Sequence, residues 1–99
     1  MSYRVRYTRA ARVDLHRLYT FLLERDPQAA ILAREAIGKS IGVLQEFPFT
    51  CRKVVPSNPF LREMVITFGA AGYVALFEIE NNETVTILAI RHQREDDYH

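Results

Sequence analysis

The sequence has one cysteine, no tryptophan and only three histidines among its 99 residues. The lone Cys51 excludes an intramolecular disulfide, and no cysteine or histidine spacing matches a structural zinc site. We therefore expect no metal, no cofactor and a reducing compartment. No apolar run is long enough for a signal peptide or a membrane span. These absences predict a cytoplasmic protein that does not enter a membrane.

The chain also lacks the length for a second domain and the composition of a disordered or fibrous protein. Its hydrophobic fraction is 48% and its charged fraction 25%, which is typical of a globular protein. A single domain over residues 1–99 buries only about two-thirds of the surface that its unfolded chain exposes. Such a domain is marginally stable, so a partner that covers more of its surface would stabilise it.

A net charge of +1 hides an uneven distribution of charge along the chain. Residues 1–25 carry six arginines and two carboxylates, whereas residues 63–90 carry four glutamates and neither lysine nor arginine. Such a chain could present a face of one sign to a charged partner. A solvated surface of mixed charge explains the same pattern, so both interpretations remain open here.

The first quarter of the chain predicts a strand followed by a helix. Residues 3–8 alternate between Tyr or Val and arginine, which is typical of a half-buried strand. Thr8 can then cap a helix over Arg9–Arg25. The apolar residues of this helix recur at spacings of three and four: Ala11, Leu15, Leu18 and Leu22.

A second helix is predicted to start at Asp26-Pro27 and to end before Pro48, because aspartate caps a helix and proline suits its first position. Its apolar stripe is Ala30, Ala33, Ile37, Ile41 and Leu44. Gly38 and Gly42 each weaken this helix by about 1 kcal/mol relative to alanine, so we expect another backbone to approach closely there. The short junction between the helices predicts an antiparallel hairpin.

The second half of the chain predicts a sheet. Residues 49–59 contain two prolines and form an irregular crossing loop, and three β-branched and aromatic runs follow: Leu61–Thr67, Tyr73–Ile79 and Thr84–Ile90. Both gaps between these runs suit hairpins. The prediction is an α+β fold with the order β-α-α-β-β-β, in which a two-helix hairpin covers one face of an antiparallel sheet.

Several local strings of the sequence occur in the order known from one family. They are Tyr3 to Leu15, Asp26 to Ala30, Leu44 to Pro48, Leu61 to Val65, and Ile87 to His92. Together with the predicted fold, they resemble the RelE/ParE superfamily of toxins over essentially the whole chain. The Leu-Arg-Glu at residue 61 and the Arg-His at residue 91 are more similar to ParE than to RelE.

The resemblance implies the toxin of a type II toxin-antitoxin system. Its partner would be a ParD-like antitoxin, which forms a hetero-oligomer with the toxin and wraps it with a C-terminal segment. Operator DNA would be contacted only indirectly, through the N-terminal part of the antitoxin. ParE-like members inhibit or poison DNA gyrase, whereas RelE-like members cut mRNA in the ribosomal A site, and the shared fold does not separate the two.

The side chains favour the gyrase alternative. RNA cleavage needs a base, a cation for the developing negative charge and an acid for the leaving oxygen. The strand region from Met64 to Val74 contains no basic residue, and Val74 stands where RelE-like members place an arginine. We therefore predict a non-catalytic gyrase inhibitor. If the chain is instead a ribosome-dependent endonuclease, its catalytic candidates are Arg91, His92, Arg94 and Tyr98. A polar tail is the alternative interpretation of these residues.

Two sets of residues are predicted to bind partners. The candidates for antitoxin binding are Arg62, Phe21, Phe47 and Phe60, and those for target binding are Arg9, Arg12, Arg91, His92 and Arg94. A structural ion pair is the alternative role of Arg62. Phe49 is a further candidate for leftover apolar surface, and about half of these four phenylalanines are expected to fill the core instead. A solvated helix surface explains the arginines of the first helix equally well.

Overall fold

The computed structural model describes residues 2–68 and 71–93. Its elements follow one another as strand β1 Arg4–Tyr7, helix α1 Arg9–Arg25, helix α2 Pro27–Glu46, a 3₁₀ turn Pro48–Thr50, and strands β2 Arg52–Lys53, β3 Leu61–Phe68, β4 Ala71–Ile79 and β5 Thr84–His92. The α+β fold and the predicted order of helices and long strands are confirmed. The two-residue strand β2 was not predicted.

The five strands form one sheet in the order β1-β5-β4-β3-β2. Strands β3, β4 and β5 form the predicted antiparallel meander. Strand β1, however, pairs parallel with β5, from Arg4 opposite Thr84 to Tyr7 opposite Ile87, so the sheet is mixed and not antiparallel throughout. Side-chain alternation identifies a strand and its two faces but carries no information about its direction, which explains the difference.

The helical hairpin starts after Thr8 and turns at Asp26, the two capping residues predicted from the sequence. The hydroxyl of Thr8 accepts a hydrogen bond from the Ala11 N–H at 3.1 Å. A carboxylate oxygen of Asp26 accepts from the N–H groups of Gln28 and Ala29 at 3.1 and 3.2 Å, while the Asp26 N–H donates to Leu22 O at 2.6 Å. One residue therefore caps the end of α1 and the start of α2, and the helices turn back without a linker.

The core lies between the helices and one face of the sheet. Its centre consists of side chains that are completely or almost completely buried, among them Phe77, Val85, Ile87 and Leu44. Both predicted helical stripes face this core, with Ala11, Leu18, Ala30, Ala33 and Leu44 buried and the other members partly buried. The opposite face of the sheet has no helical cover among the described residues.

The expected close approach at Gly38 and Gly42 is wrong. A Cβ atom built on either glycine would have no heavy atom within 4 Å, so both positions face open space. A close approach occurs instead at Gly72 of β4, where a Cβ would collide with the carbonyl oxygen of Ile66. The two glycines therefore lower the stability of the helix without allowing a closer packing contact.

Candidate protein-binding surfaces

The sheet face that points away from the helices has an apolar centre. The register places Val65, Val74, Leu76 and Ala89 beside one another on this face. Two carboxylates beside this centre have partners: Glu63 pairs with Arg52 at 2.6 Å, and Glu80 accepts a hydrogen bond from Thr86. Within the described parts of β3, β4 and β5, Arg91 is the only cation on this face, and no histidine or tyrosine accompanies it. The flanking strands add further arginines to the same face, Arg4 and Arg6 from β1 and Arg52 from β2, so its charged groups surround the apolar centre.

The structure separates the described members of the predicted nuclease group. Arg91 lies opposite Val74 on the open face, whereas His92 lies opposite Tyr73 on the helix-covered face. The His92 ring contacts the Tyr73 ring edge-on, with a centroid distance of 5.9 Å. An Arg91 nitrogen donates to the carbonyl oxygens of His92 and Gln93 at 3.2 and 3.4 Å. Arg94 and Tyr98 lie outside the described residues.

Arg62 holds the crossing loop, and the structural ion pair that was its alternative role is not formed with any of the described residues. Its Nε donates to Pro59 O at 2.7 Å, and a terminal nitrogen donates to Phe49 O and Cys51 O at 3.0 and 2.7 Å. The guanidinium carbon also lies 5.3 Å from the centre of the Phe49 ring. These three contacts from one planar group fix both ends of the loop. The role is structural, but the sequence suggested an ion pair because Glu63 is the next residue.

All four candidate phenylalanines are exposed, so the expectation that half lie in the core is wrong. Phe47 is 63% exposed, and Phe49 and Phe60, whose ring centroids lie 6.2 Å apart, are each about half exposed. Phe21 lies on α1, with the guanidinium of Arg25 stacked 3.7 Å from its ring centre. Exposed apolar side chains at both places offer surface to a protein partner.

Arg9 and Arg12 extend into solvent from the first turns of α1. The first turn of this helix contains no acidic residue. Basic side chains at a helix N-terminus oppose the helix dipole at a cost of about 0.3–1 kcal/mol. Burial raises the pKa of the nearby Tyr7 hydroxyl above its usual value, and the charge of Arg12 opposes that rise. The two arginines are placed where they do not stabilise the helix, which favours a binding role.

Asp14 was assigned no role by the sequence, yet it anchors α1 on the sheet. Strand β1 ends opposite Ile87, so the edge of β5 beyond that residue has no strand partner among the described residues. The Asp14 carboxylate accepts a hydrogen bond from the Ile90 N–H at 2.9 Å, and the Thr8 hydroxyl donates to Leu88 O at 3.1 Å. The two contacts join residues that are 76 and 80 positions apart in the sequence, and no local sequence pattern reveals contacts over such separations.

A groove separates α2 from the free edge of β3. Strand β2 pairs only with Arg62 and Glu63, so Met64–Phe68 have no strand partner on that side among the described residues. The groove has a volume of about 440 Å³ and is lined by Leu32, Glu35, Ala36, Lys39, Val65 and Thr67, among others. An exposed strand edge beside a groove of mixed polar and apolar lining is a site where an extended peptide can add to the sheet.

A second depression, here called the α1–α2 cleft, lies between the two helices above β4. Its volume is about 330 Å³, and its apolar lining comes from Leu15, Leu18, Leu22, Ala33, Ile37 and Tyr73. The exposed polar residues of the lining are His16 and Arg34. Tyr73 is only 2% exposed, and burial raises the pKa of its hydroxyl above the usual value. The sequence did not predict this cleft, because its residues come from three separate elements.

Two kinds of site are absent from the described ranges. No group of three or more histidine, cysteine or acidic side chains there could hold a metal ion. Neither α1 nor α2 combines the length and the apolarity that a membrane-spanning helix requires.

Known proteins are similar to this chain in sequence and in fold. The family model described as the ParE toxin of the type II toxin-antitoxin system parDE matches residues 5–97. A curated relative, Toxin RelE1 of Caulobacter vibrioides, is 33% identical over 79 residues, which cover 80% of this chain and 82% of the relative. A solved structure from the chromosomal ParDE TA system of P. aeruginosa is similar with a TM-score of 0.68 and 22% identity, covering 92% of this chain and 96% of that one. This last likeness supports the fold.

Proposed function

Because the chain belongs to the ParE family of type II toxins, we propose that it inhibits or poisons DNA gyrase by binding and that a ParD-like antitoxin neutralises it. The observation that carries the proposal is the apolar centre of the open sheet face. Val65, Val74, Leu76 and Ala89 offer no proton donor or acceptor to an RNA backbone. Such an apolar centre supports action by occupying a surface of the target rather than by a catalytic step.

The target-binding surface in this proposal is the start of α1. Arg9 and Arg12 form a basic, solvent-exposed end of the helix, at a cost to helix stability. Their charges suit an acidic protein surface and would accelerate association with it. A single negative residue at either position should weaken inhibition of the target more than it disturbs the fold.

The antitoxin-binding surface in this proposal is the groove between α2 and β3. A peptide that adds to the edge at Met64–Phe68 would satisfy backbone groups and cover the apolar side chains of Leu32 and Val65. Lys39 lines the same groove and suits an acidic segment. This surface is separate from Arg9 and Arg12, so the two partners can be uncoupled by mutation.

The second candidate function is ribosome-dependent mRNA cleavage, which the 33% identity to Toxin RelE1 favours. In that case the catalytic group is Arg91, His92, Arg94 and Tyr98. The opposite orientation of Arg91 and His92 counts against this alternative, since side chains on the two faces of a sheet do not reach the same scissile phosphate.

The deciding experiment is induced expression without antitoxin, followed by pulse labelling of DNA and protein synthesis and by supercoiling assays with purified gyrase. We expect DNA synthesis to stop first and gyrase to be inhibited. Arg9→Glu should relieve inhibition and still bind antitoxin, whereas Lys39→Glu should inhibit fully and bind antitoxin weakly. Immediate arrest of protein synthesis with cut mRNA would overturn the proposal in favour of the nuclease.

A further inference from the structure

We propose that the free edge of β3 pairs with the same edge of a second copy of this chain, so that the protein without antitoxin is a two-fold symmetric dimer. The two copies would meet along Met64–Phe68, with one α2 helix on each side of the junction. The inference does not depend on the identity of the target. Since the antitoxin is proposed to use the same edge, the dimer and the toxin-antitoxin complex would exclude each other.

The free edge of β3 lacks the features that normally prevent two sheets from joining. Strand edges in soluble proteins are protected by charged side chains, prolines or bulges. Residues 64–68 read Met-Val-Ile-Thr-Phe and contain neither a charge nor a proline. The pairing of β3 with β4 is regular, because the register shift of the sheet lies between β4 and β5. An uncharged edge of this kind pairs with another strand, and every second copy presents one.

The backbone groups that point outward from β3 fix the register of the dimer. On the β2 side, Leu61 O accepts a hydrogen bond from the Val54 N–H. Alternate residues of a strand point their backbone groups to the same side, so those of Val65 and Thr67 also point away from β4. An antiparallel pair centred on Ile66 of both copies places Val65 opposite Thr67 of the second copy. This register provides a hydrogen-bond partner for every outward N–H and C=O of the two edges.

The charges beside the edge are complementary to themselves. Glu35 and Lys39 both line the groove and lie one turn apart on α2, with the small Ala36 between them. In the described ranges, neither charge takes part in an ion pair. A two-fold axis at Ile66 makes the two α2 helices antiparallel, so Glu35 of each copy faces Lys39 of the other. The symmetry therefore joins opposite charges on both sides of the axis.

The same pairing would cover apolar side chains that a single copy exposes. Leu32 is 56% exposed and Val65 is 40% exposed. Across the new ladder, Val65 would pack against Thr67 of the second copy, a favourable contact between β-branched side chains. The assembly closes at two copies, because each copy has used this edge and the opposite edge of the sheet is the different strand β1.

The first test measures the mass of the full chain in solution by sedimentation over a range of concentrations. We expect a dimer that dissociates on dilution. Glu35→Lys and Lys39→Glu should each weaken association about tenfold or more, since the symmetry makes one substitution break two contacts. The matched control is Glu24→Lys, an exposed charge reversal on α1, which should dimerise like the wild type.

A mixture of the two reversed variants tests the predicted contact itself. Glu35→Lys and Lys39→Glu should form a mixed dimer with each other at a concentration where neither forms a dimer alone, because their charges are again opposite across the axis. The double variant that carries both substitutions should regain the dimer for the same reason.

The backbone pairing has a separate test. Thr67→Pro removes an outward N–H that the ladder needs, and proline is tolerated on a free edge, so this variant should stay folded and lose the dimer. In the wild type, the amide hydrogens of Val65 and Thr67 should exchange more slowly as the concentration rises. The amide hydrogen of Ile66 faces β4 and should not change.

Three results would overturn the inference and leave the proposed function unaffected. The first is a wild type that stays monomeric up to its highest soluble concentration. The second is a dimer that both charge reversals leave intact, because the copies would then meet on another surface. The third is a failure of the two reversed variants to form a mixed dimer, and this result decides the question even if Thr67→Pro does not fold.

Discussion

Replacing Arg62 with alanine should destabilise the protein by far more than an exposed arginine normally does. The side chain makes three hydrogen bonds, to the carbonyl oxygens of Pro59, Phe49 and Cys51, of which the last is partly buried. Taking about 0.5 kcal/mol for each exposed bond and about 1.5 kcal/mol for the partly buried one, the loss is about 2.5 kcal/mol. For a domain of this size that corresponds to a fall in Tm of roughly 10–20 °C.

The control for this prediction is Arg52→Ala, which removes the exposed pair with Glu63 and should cost roughly 0.2–1 kcal/mol. Arg62→Lys should recover less than half of the loss, because lysine keeps the charge but not the planar fork that reaches three carbonyls. Urea unfolding of the three variants gives the free energies directly. Equal losses for Arg62→Ala and Arg52→Ala would refute the loop-holding role and return Arg62 to the candidates for direct antitoxin contact.

Three further predictions follow from the described contacts. Gly38→Ala and Gly42→Ala should each raise the free energy of unfolding by about 1 kcal/mol, since neither new methyl meets another atom; a loss of stability in chemical denaturation would contradict this. Arg9→Glu should stabilise α1 by up to about 1 kcal/mol through the helix dipole while weakening gyrase inhibition, and a stable variant with unchanged inhibition would remove Arg9 from the target surface. Burial raises the pKa of Tyr73, so its folded form holds the proton more tightly than the unfolded form; stability should be fully present below pH 10.0 and fall above it, and Tyr73→Phe should flatten that fall in unfolding measured against pH.

The helical half of the fold was predictable because its signals are local. Thr8 and Asp26 bind backbone groups two or three residues away, and the stripes that bury Ala11, Ala30 and Leu44 recur within a few turns. Capping and periodicity depend only on neighbours in the sequence, so they can be identified without the structure. The same reasoning identified the three long strands but not the direction of β1.

The binding surfaces were less predictable because distant residues form them. The cleft combines Leu15, Ile37 and Tyr73 from three elements, and the anchoring of α1 joins Asp14 to Ile90. Arg62 was identified as a residue of interest, but its hydrogen bonds run to backbone oxygens, which have no side-chain signature in the sequence. Sequence patterns therefore identified polar residues of interest more readily than the atoms they contact.

The position of β5 has a consequence for the order in which the protein can fold. It is the last strand of the described chain, yet it lies between β1 and β4 and supplies the partner of both. During synthesis, β1 emerges first and has no strand to pair with until residues 84–92 have been made. A domain generally folds as a unit, so the sheet waits for its central strand. The sheet, and with it any surface that could harm the cell, is completed only after residues 84–92 have been made, so an antitoxin already present can meet the chain as it folds.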